Sequence, residues 1–305
     1  MSFDFKDLLA IKDLSKKNLQ TILYSTQCCK QILMSGEKTP ILVDKNVAIL
    51  FYEPSTRTKN SFEIAAKRLS ANVINISVNT SSVVKGESIT DTVKTLEAMR
   101  IDYIIIRHSS AGIANMLAKN FKVSIINAGD GFHEHPTQGL LDLYTIYEYK
   151  KKIKDLKVLI VGDILHSRVA KSNIWALKTM GAEVFVSGPP TFIPANIEEL
   201  GVTVFHNLDD IIDKVDVVNI LRIQSERQKE NLLPSLREYI SLYQLNKKRL
   251  LNLKSEAIIM HPGPINRGIE IDSEVADSSK SVINKQVTNG IAVRMSILSL
   301  LNRDK

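Results

Sequence analysis

Short runs of β-branched residues recur along this chain, and most of them hand over to turn residues and then to a stretch with helical spacing. In the first half, NVAILFY (46–52) precedes 56–69, ANVINIS (71–77) precedes 88–99, YIIIRH (103–108) precedes 112–119, and VSIINAG (123–129) precedes 137–149. The second half repeats the style. KVLIVGD (157–163) precedes 167–180, EVFVSGP (183–189) precedes 195–200, and VTVFHN (202–207) precedes 208–213, before VDVVNIL (215–221) and AIIMHPGP (257–264). Such alternation predicts an α/β fold with largely parallel sheets, because parallel neighbours need a crossover connection. The strand candidates exceed an average sheet of roughly 5 to 6 strands, and a basic junction, YKKKIKDLK (149–157), divides them. Two doubly wound parallel-sheet domains with a site in the cleft between them are expected, one formed by 1–149 plus 287–305 and one by 150–286. The last helical segment, 287–301, has no strand of its own and is expected to pack back on the first domain.

The net charge of +7 raises nucleic acid as a partner. Acids are interspersed among the cations, and the densest basic cluster, 149–157, is one short junction without aromatic stacking residues, so no nucleic-acid partner is expected. No run approaches the about 18 apolar residues of a membrane span, and the start, MSFDFKDLLA, carries acids where a signal peptide needs basic then apolar residues. A cytoplasmic protein without a membrane partner is expected. Cys28 and Cys29 are adjacent, which suits neither an ordinary disulfide nor a CxxC metal site, and they read as thiols.

Ligands of open α/β sheets bind beyond the carboxyl ends of the strands, so the loops there carry the chemistry. After the first strand comes EPSTRT (53–58). Ser55 or Thr56 by itself reads as an ordinary N-cap, but with Arg57 and Thr58 the stretch becomes a cradle for phosphate at a helix start. It is not a P-loop, since GxxxxGK[ST] is absent. Arg107 follows the third strand. In HEHPTQG, His135 and Gln138 lie three residues apart and can face one ligand from a single helical turn; a capping or packing role for His135 reads about as well. His133 suggests a metal pair, yet no third ligand follows at suitable spacing, and no metal is expected. Arg168 and Arg222 follow strands of the second half, and Lys85 lies in NTSSVVKGES; three cations suit a substrate with two carboxylates, although each alone reads as a surface charge. GDILHSR lacks GxGxxG, so Gly162 and Asp163 do not establish a dinucleotide cofactor.

These stretches together resemble the catalytic chains of the aspartate carbamoyltransferase family. The resemblance runs the full chain: STRT with SFE, S-x-x-x-K-G-E from Ser81 to Glu87, RH at 107, NAGDG with HPTQ, GD-x4-R at 162–168, LRIQ at 221 and HPGP-x-NRG at 261. STRT and HPTQ alone mark any carbamoyltransferase. Lys85, LRIQSER and HPGP in place of the HCLP of ornithine enzymes turn the resemblance to aspartate.

The resemblance implies transfer of the carbamoyl group of carbamoyl phosphate to the amine of L-aspartate, giving N-carbamoyl-L-aspartate and phosphate in pyrimidine synthesis, without a cofactor. It implies that Ser55, Thr56, Arg57, Thr58, Ser81 and Arg107 hold the phosphate, and that His135, Gln138 and the Pro262-Gly263-Pro264 backbone hold the carbamoyl portion. Lys85, Arg168, Arg222 and Gln224 are implied for the aspartate carboxylates. Arg57, Thr58, Lys85, Arg107 and His135 are implied as the catalytic set. It also implies a homotrimer in which Ser81 and Lys85 come from the neighbouring subunit, and a closing contact from Glu53 to Arg168 and Arg227. Regulatory chains and a dihydroorotase are further partners that the resemblance leaves open.

This sequence departs at Lys59, where a second arginine is frequent, and in the apolar SSVV before Lys85, whose loop, 79–87, is expected to be mobile without substrate. Competing readings are a carbamoyltransferase acting on ornithine, putrescine or an acetylated amino acid, a catalytically silent oligomeric partner, and a basic nucleic-acid binder.

Overall fold

The computed structural model describes residues 5–77, 86–223 and 235–302. Ser81, Lys85, Gln224 and Arg227, and nearly all of the loop expected to be mobile, lie outside these described residues. The chain divides into two compact units, Met1–Tyr144 with Thr288–Lys305, and Thr145–Val287.

The first unit opens with helix α1 (Lys16–Ser35), started by a capping box in which the Ser15 hydroxyl accepts from the Asn18 N–H. Four strands then alternate with helices: β1 (Asn46–Phe51), α2 (Thr56–Arg68), β2 (Asn72–Ser77), α3 (Ile89–Ala98), β3 (Tyr103–His108), α4 (Ile113–Asn120), β4 (Ser124–Asp130) and α5 (Pro136–Lys150). The sheet order is β2-β1-β3-β4, all parallel. The β1, β3 and β4 runs are apolar almost throughout because both faces of a parallel sheet are covered. On one face Ala48, Leu50, Ile104, Ile106 and Ile125 pack with Val93 and Leu96 of α3 and Ala114 and Leu117 of α4. The intervening Val47, Ile49, Ile105 and Ile126 are equally buried.

The C-terminal helix (Ile283–Leu300) belongs to this first unit from Thr288 onward. Its Ser296 hydroxyl donates to the Ile22 carbonyl of α1 and its Arg294 donates to Ser61 of α2, while Asn302 just beyond it donates to the Ile41 carbonyl. Val293, Met295, Ile297 and Leu298 are wholly buried.

The second unit contains β5 (Lys157–Val161), α6 (Arg168–Met180), β6 (Glu183–Ser187), β7 (Thr203–Phe205), β8 (Val217–Ile220), α7 (Leu236–Tyr243), α8 (Lys247–Asn252), β9 (Ile258–Met260) and α9 (Ser273–Ala276). Its five parallel strands run β7-β6-β5-β8-β9. Leu159, Val161, Val218, Ile220 and Ile259 pack there with Phe192, Leu208, Ile211 and Tyr239.

In both sheets the chain leaves its first strand toward one edge and later returns to that strand's other side. The reversal lies between β1 and β3 in the first sheet and between β5 and β8 in the second. At such switch points neighbouring loops part at the carboxyl ends of the strands and leave a crevice for a ligand.

Candidate active site

In the first unit the switch point is flanked by the two loops richest in anion-binding groups. Phe51 pairs with Arg107 across β1 and β3, and the Tyr52 N–H donates to the Arg107 carbonyl at 2.8 Å. EPSTRT and Arg107 therefore leave adjacent strand ends. Ser55 occupies the N-cap of α2, but its side chain makes no capping hydrogen bond. By contrast, the N-cap side chains of α1, α3, α6, α7 and α8 each accept from the backbone N–H three residues on: Ser15, Ser88, Ser167, Ser235 and Asn246. The start of α2 thus has no side-chain cap at its positive dipole end. Thr56 and Arg57 are exposed there, Ser55 is half-buried and Thr58 is buried.

Arg107 is held from two sides. Its Nε lies 3.3 Å from Glu53 Oε2, and its Nη1 donates to the Ala128 carbonyl at 3.4 Å. Glu53, expected to meet arginines of the second half, is thus ion-paired with Arg107 of its own unit. An arginine with five N–H donors can serve Glu53, Ala128 and an anion together.

HPTQ begins α5 beside β4. His135 and Gln138 are both buried, and the Gln138 N–H donates to the His135 carbonyl at 2.9 Å, which sets the first turn. The approach to this turn is braced by two buried acids. Asp130 accepts from Gly112 N at 2.7 Å, from Asn127 Nδ2 at 2.8 Å and from Glu134 N at 3.3 Å, and its Oδ2 contacts His133 Nδ1 at 3.1 Å. Glu134 accepts from Ile11 N at 2.8 Å and Lys12 N at 3.3 Å. His133 is accordingly occupied with Asp130. Among the described residues no group of three or more His, Cys, Asp or Glu gathers as a metal site. Gly131 completes the turn: a Cβ there would sit 2.8 Å from Ala111 N and Ser109 O, so only glycine lets the strand end pass that loop.

The second unit presents its own set. Arg168 is the first residue of α6 and is buried, and Ser167 caps that helix by accepting from Ala170 N at 3.1 Å. Buried Asp163 shapes the preceding turn, accepting from His166 N at 3.1 Å and contacting His166 Nδ1 at 3.0 Å. A Cβ on Gly188 would lie 2.4 Å from the Gly162 carbonyl, so the ends of β5 and β6 approach closely enough to require glycine. Arg222 follows β8, so Arg168 and Arg222 flank the second switch point.

Pro262, Gly263 and Pro264 follow β9 in a loop tied down from behind. His261 Nδ1 accepts from Gly263 N at 2.8 Å, which leaves the proton on Nε2, 3.1 Å from Glu270 Oε1. Glu270 Oε1 also accepts from Asn266 N at 2.6 Å, and Asn266 Nδ2 donates to the Ile223 carbonyl at 3.1 Å, joining this loop to the one that carries Arg222.

Sequence reasoning missed the residues of the supporting layer: Asp130, Glu134, Asp142 and Glu270. Glu134 lies inside HEHPTQ and Asp142 stands four residues after Gln138, a spacing that puts two side chains on one helical face, so both had a local signal. Glu270 had none.

Residues 6–148 match the family described as aspartate/ornithine carbamoyltransferase, carbamoyl-P binding domain, and residues 154–301 match aspartate/ornithine carbamoyltransferase, Asp/Orn binding domain. The aspartate carbamoyltransferase catalytic subunit of Endomicrobium trichonymphae is 68% identical over 302 residues, covering 99% of this chain and 97% of the relative. Among solved structures, the catalytic subunit of M. jannaschii aspartate transcarbamoylase superposes with a TM-score of 0.88 at 37% identity, covering 99% of both chains. Aspartate transcarbamoylase from Trypanosoma cruzi in complex with carbamoyl phosphate and aspartate superposes with a TM-score of 0.88 at 27% identity, covering 96% of this chain and 95% of that one. With both halves matched and two α/β units of the same architecture, the chain belongs to the aspartate/ornithine carbamoyltransferase family.

Proposed function

We propose that this chain is an aspartate carbamoyltransferase catalytic subunit, which moves the carbamoyl group of carbamoyl phosphate to the amine of L-aspartate in de novo UMP synthesis. The observation that carries the reading is the uncapped α2 N-terminus beside Arg107 at a switch point, with His135 and Gln138 on the next strand's helix. A relative that is 68% identical over nearly the whole chain and named for this activity favours aspartate over ornithine as acceptor.

On this reading Ser55, Thr56, Arg57 and Thr58 take the phosphate at the helix start, with Ser81 added from a neighbouring subunit. The backbone N–H groups and the guanidinium match the oxygens of a dianion. Arg107 reaches both phosphate and carbonyl oxygen. Neutral His135 donates to that oxygen, while Gln138 and the carbonyls of the Pro262-Gly263-Pro264 segment take the carbamoyl NH2. Arg168, Arg222, Gln224 and Lys85 bind the two carboxylates of aspartate.

The neutral amine of aspartate attacks the carbamoyl carbon. Negative charge grows on the carbonyl oxygen, where Arg107, Thr58 and His135 stabilise it, and the C–O bond to phosphate breaks. Arg57 and Lys85 offset the charge of the departing phosphate, which takes the amine proton. No protein nucleophile is required; the rate comes from positioning and from donors already aimed at the developing charge.

A cytoplasmic homotrimer with shared active sites is part of the same proposal, and sedimentation at the mass of a single chain would remove that part. The reaction itself is tested by phosphate release from carbamoyl phosphate with aspartate, ornithine or putrescine offered separately. Turnover is expected with aspartate; turnover with ornithine and none with aspartate would overturn the assignment.

A further inference from the structure

Gln138 and Asp142 stand one turn apart on α5, both buried, with Gln138 Nε2 3.0 Å from Asp142 Oδ1. A carboxylate offers only acceptor oxygens, so this contact decides which end of the glutamine amide turns inward. The NH2 faces Asp142 and the carbonyl Oε1 faces the opposite way. A buried carboxylate needs a counter-charge, and the C-terminal helix brings one. Arg294 is buried, and its Nη1 donates to Ser61 Oγ at 2.8 Å and to the Gly290 carbonyl at 2.9 Å. Its guanidinium lies 4.9 Å over the Phe62 ring. Burial pulls this guanidinium down to about 10, with the Asp142 charge opposing the fall, so it remains cationic at neutral pH. Space is kept for it: a Cβ on Gly290 would come within 2.6 Å of Arg294 Nη1.

We infer that Asp142 is a positioning residue that holds the Gln138 carbonyl outward as an acceptor, and so selects an acyl phosphate bearing NH2 over one bearing CH3. The inference rests on the carbamoyl-transfer reading above, because it is the carbamoyl NH2 that would donate to Gln138 Oε1. A freely turning amide would offer its own NH2 half of the time, and two facing NH2 groups cannot hydrogen-bond.

The test compares the full-length enzyme with Asp142→Asn, whose amide tolerates either orientation of Gln138. Steady-state kinetics give kcat/KM for carbamoyl phosphate, and acetyl phosphate and inorganic phosphate serve as competitive inhibitors. Asp142→Asn should lower kcat/KM for carbamoyl phosphate about tenfold, the worth of one good hydrogen bond. The inhibition constants of acetyl phosphate and phosphate should stay within about twofold, because neither ligand presents an NH2 to Gln138. In a Gln138→Ala background the same substitution should add no further loss of discrimination. Parallel weakening of all three ligands would overturn the inference and mark Asp142 as a structural residue only. Should Asp142→Asn fail to fold, Asp142→Asn with Arg294→Met removes both buried charges together and carries the same comparison. An unmodified chain that turns over no carbamoyl phosphate would overturn the reaction, and this selection with it; unchanged discrimination in an active variant overturns the selection alone.

Discussion

At the scale of residues, the same amino acid at the same helical position does two different jobs in this chain. Ser167 caps α6 by accepting the Ala170 N–H, whereas Ser55 at the start of α2 forms no such bond. Ser167→Ala should therefore cost about 1 kcal/mol of unfolding free energy, the usual loss of a cap. Ser55→Ala should stay within about 0.5 kcal/mol of the parent while inhibition by inorganic phosphate weakens. Denaturant unfolding together with phosphate inhibition checks both halves, and a Ser55 variant as destabilised as the Ser167 variant would return Ser55 to a capping role. The motif residues were legible in the sequence because each follows a strand end, and a parallel sheet gathers such ends on one edge. Arg294 was not legible in this way. Its partners lie in α2 and in its own helix, and nothing local in VTNGIAVRMSILSLL marks an arginine destined for burial.

At the scale of elements, all nine expected strands form, in one sheet of four and one of five. The central runs β1, β3, β4, β5 and β8 are apolar on both faces, which leaves little alternative to a covered parallel sheet. The helical segments were less legible where they were short. Residues 195–200 and 208–213 form only the 3-10 turns Ile197–Leu200 and Leu208–Asp210, since a run held between Pro194 and Gly201 is too brief to repay helix nucleation. Helices α7 and α8 were not anticipated, although both lie in the crossover from β8 to β9.

The connection from β4 to α5 carries the sharpest element-level constraint. Gly131 has a φ of 46°, and its missing Cβ would meet backbone atoms of Ser109 and Ala111 at 2.8 Å. Gly131→Ala must push the 109–111 loop aside or tilt the end of β4, and either shift moves His135. A loss of more than about 1 kcal/mol in stability is expected, with a larger fall in kcat/KM than in thermal stability would suggest. Activity at parent level would show that the turn does not position His135.

At the scale of the whole molecule, the chain threads one unit in two instalments. Its C-terminal helix returns to the first unit to set Ser296 against α1, Arg294 against Ser61 and Asn302 against Ile41. Val293, Met295, Ile297 and Leu298 are buried there. At roughly 1.5 to 3 kcal/mol for each such side chain, this helix supplies a sum comparable to the 5–15 kcal/mol that holds an ordinary domain together. Synthesis runs from the N-terminus, so residues 1–144 leave the ribosome long before their closing helix exists, and the entire second unit is made in between. The second unit should then reach protease resistance first, with the earlier-made sheet remaining cleavable until residues 288–302 have emerged. Limited proteolysis of released chains ending at Val287 and at Lys305 reads this dependence directly, and protection of the first unit in the shorter chain would refute it. Position along the gene and order of maturation would then run in opposite directions.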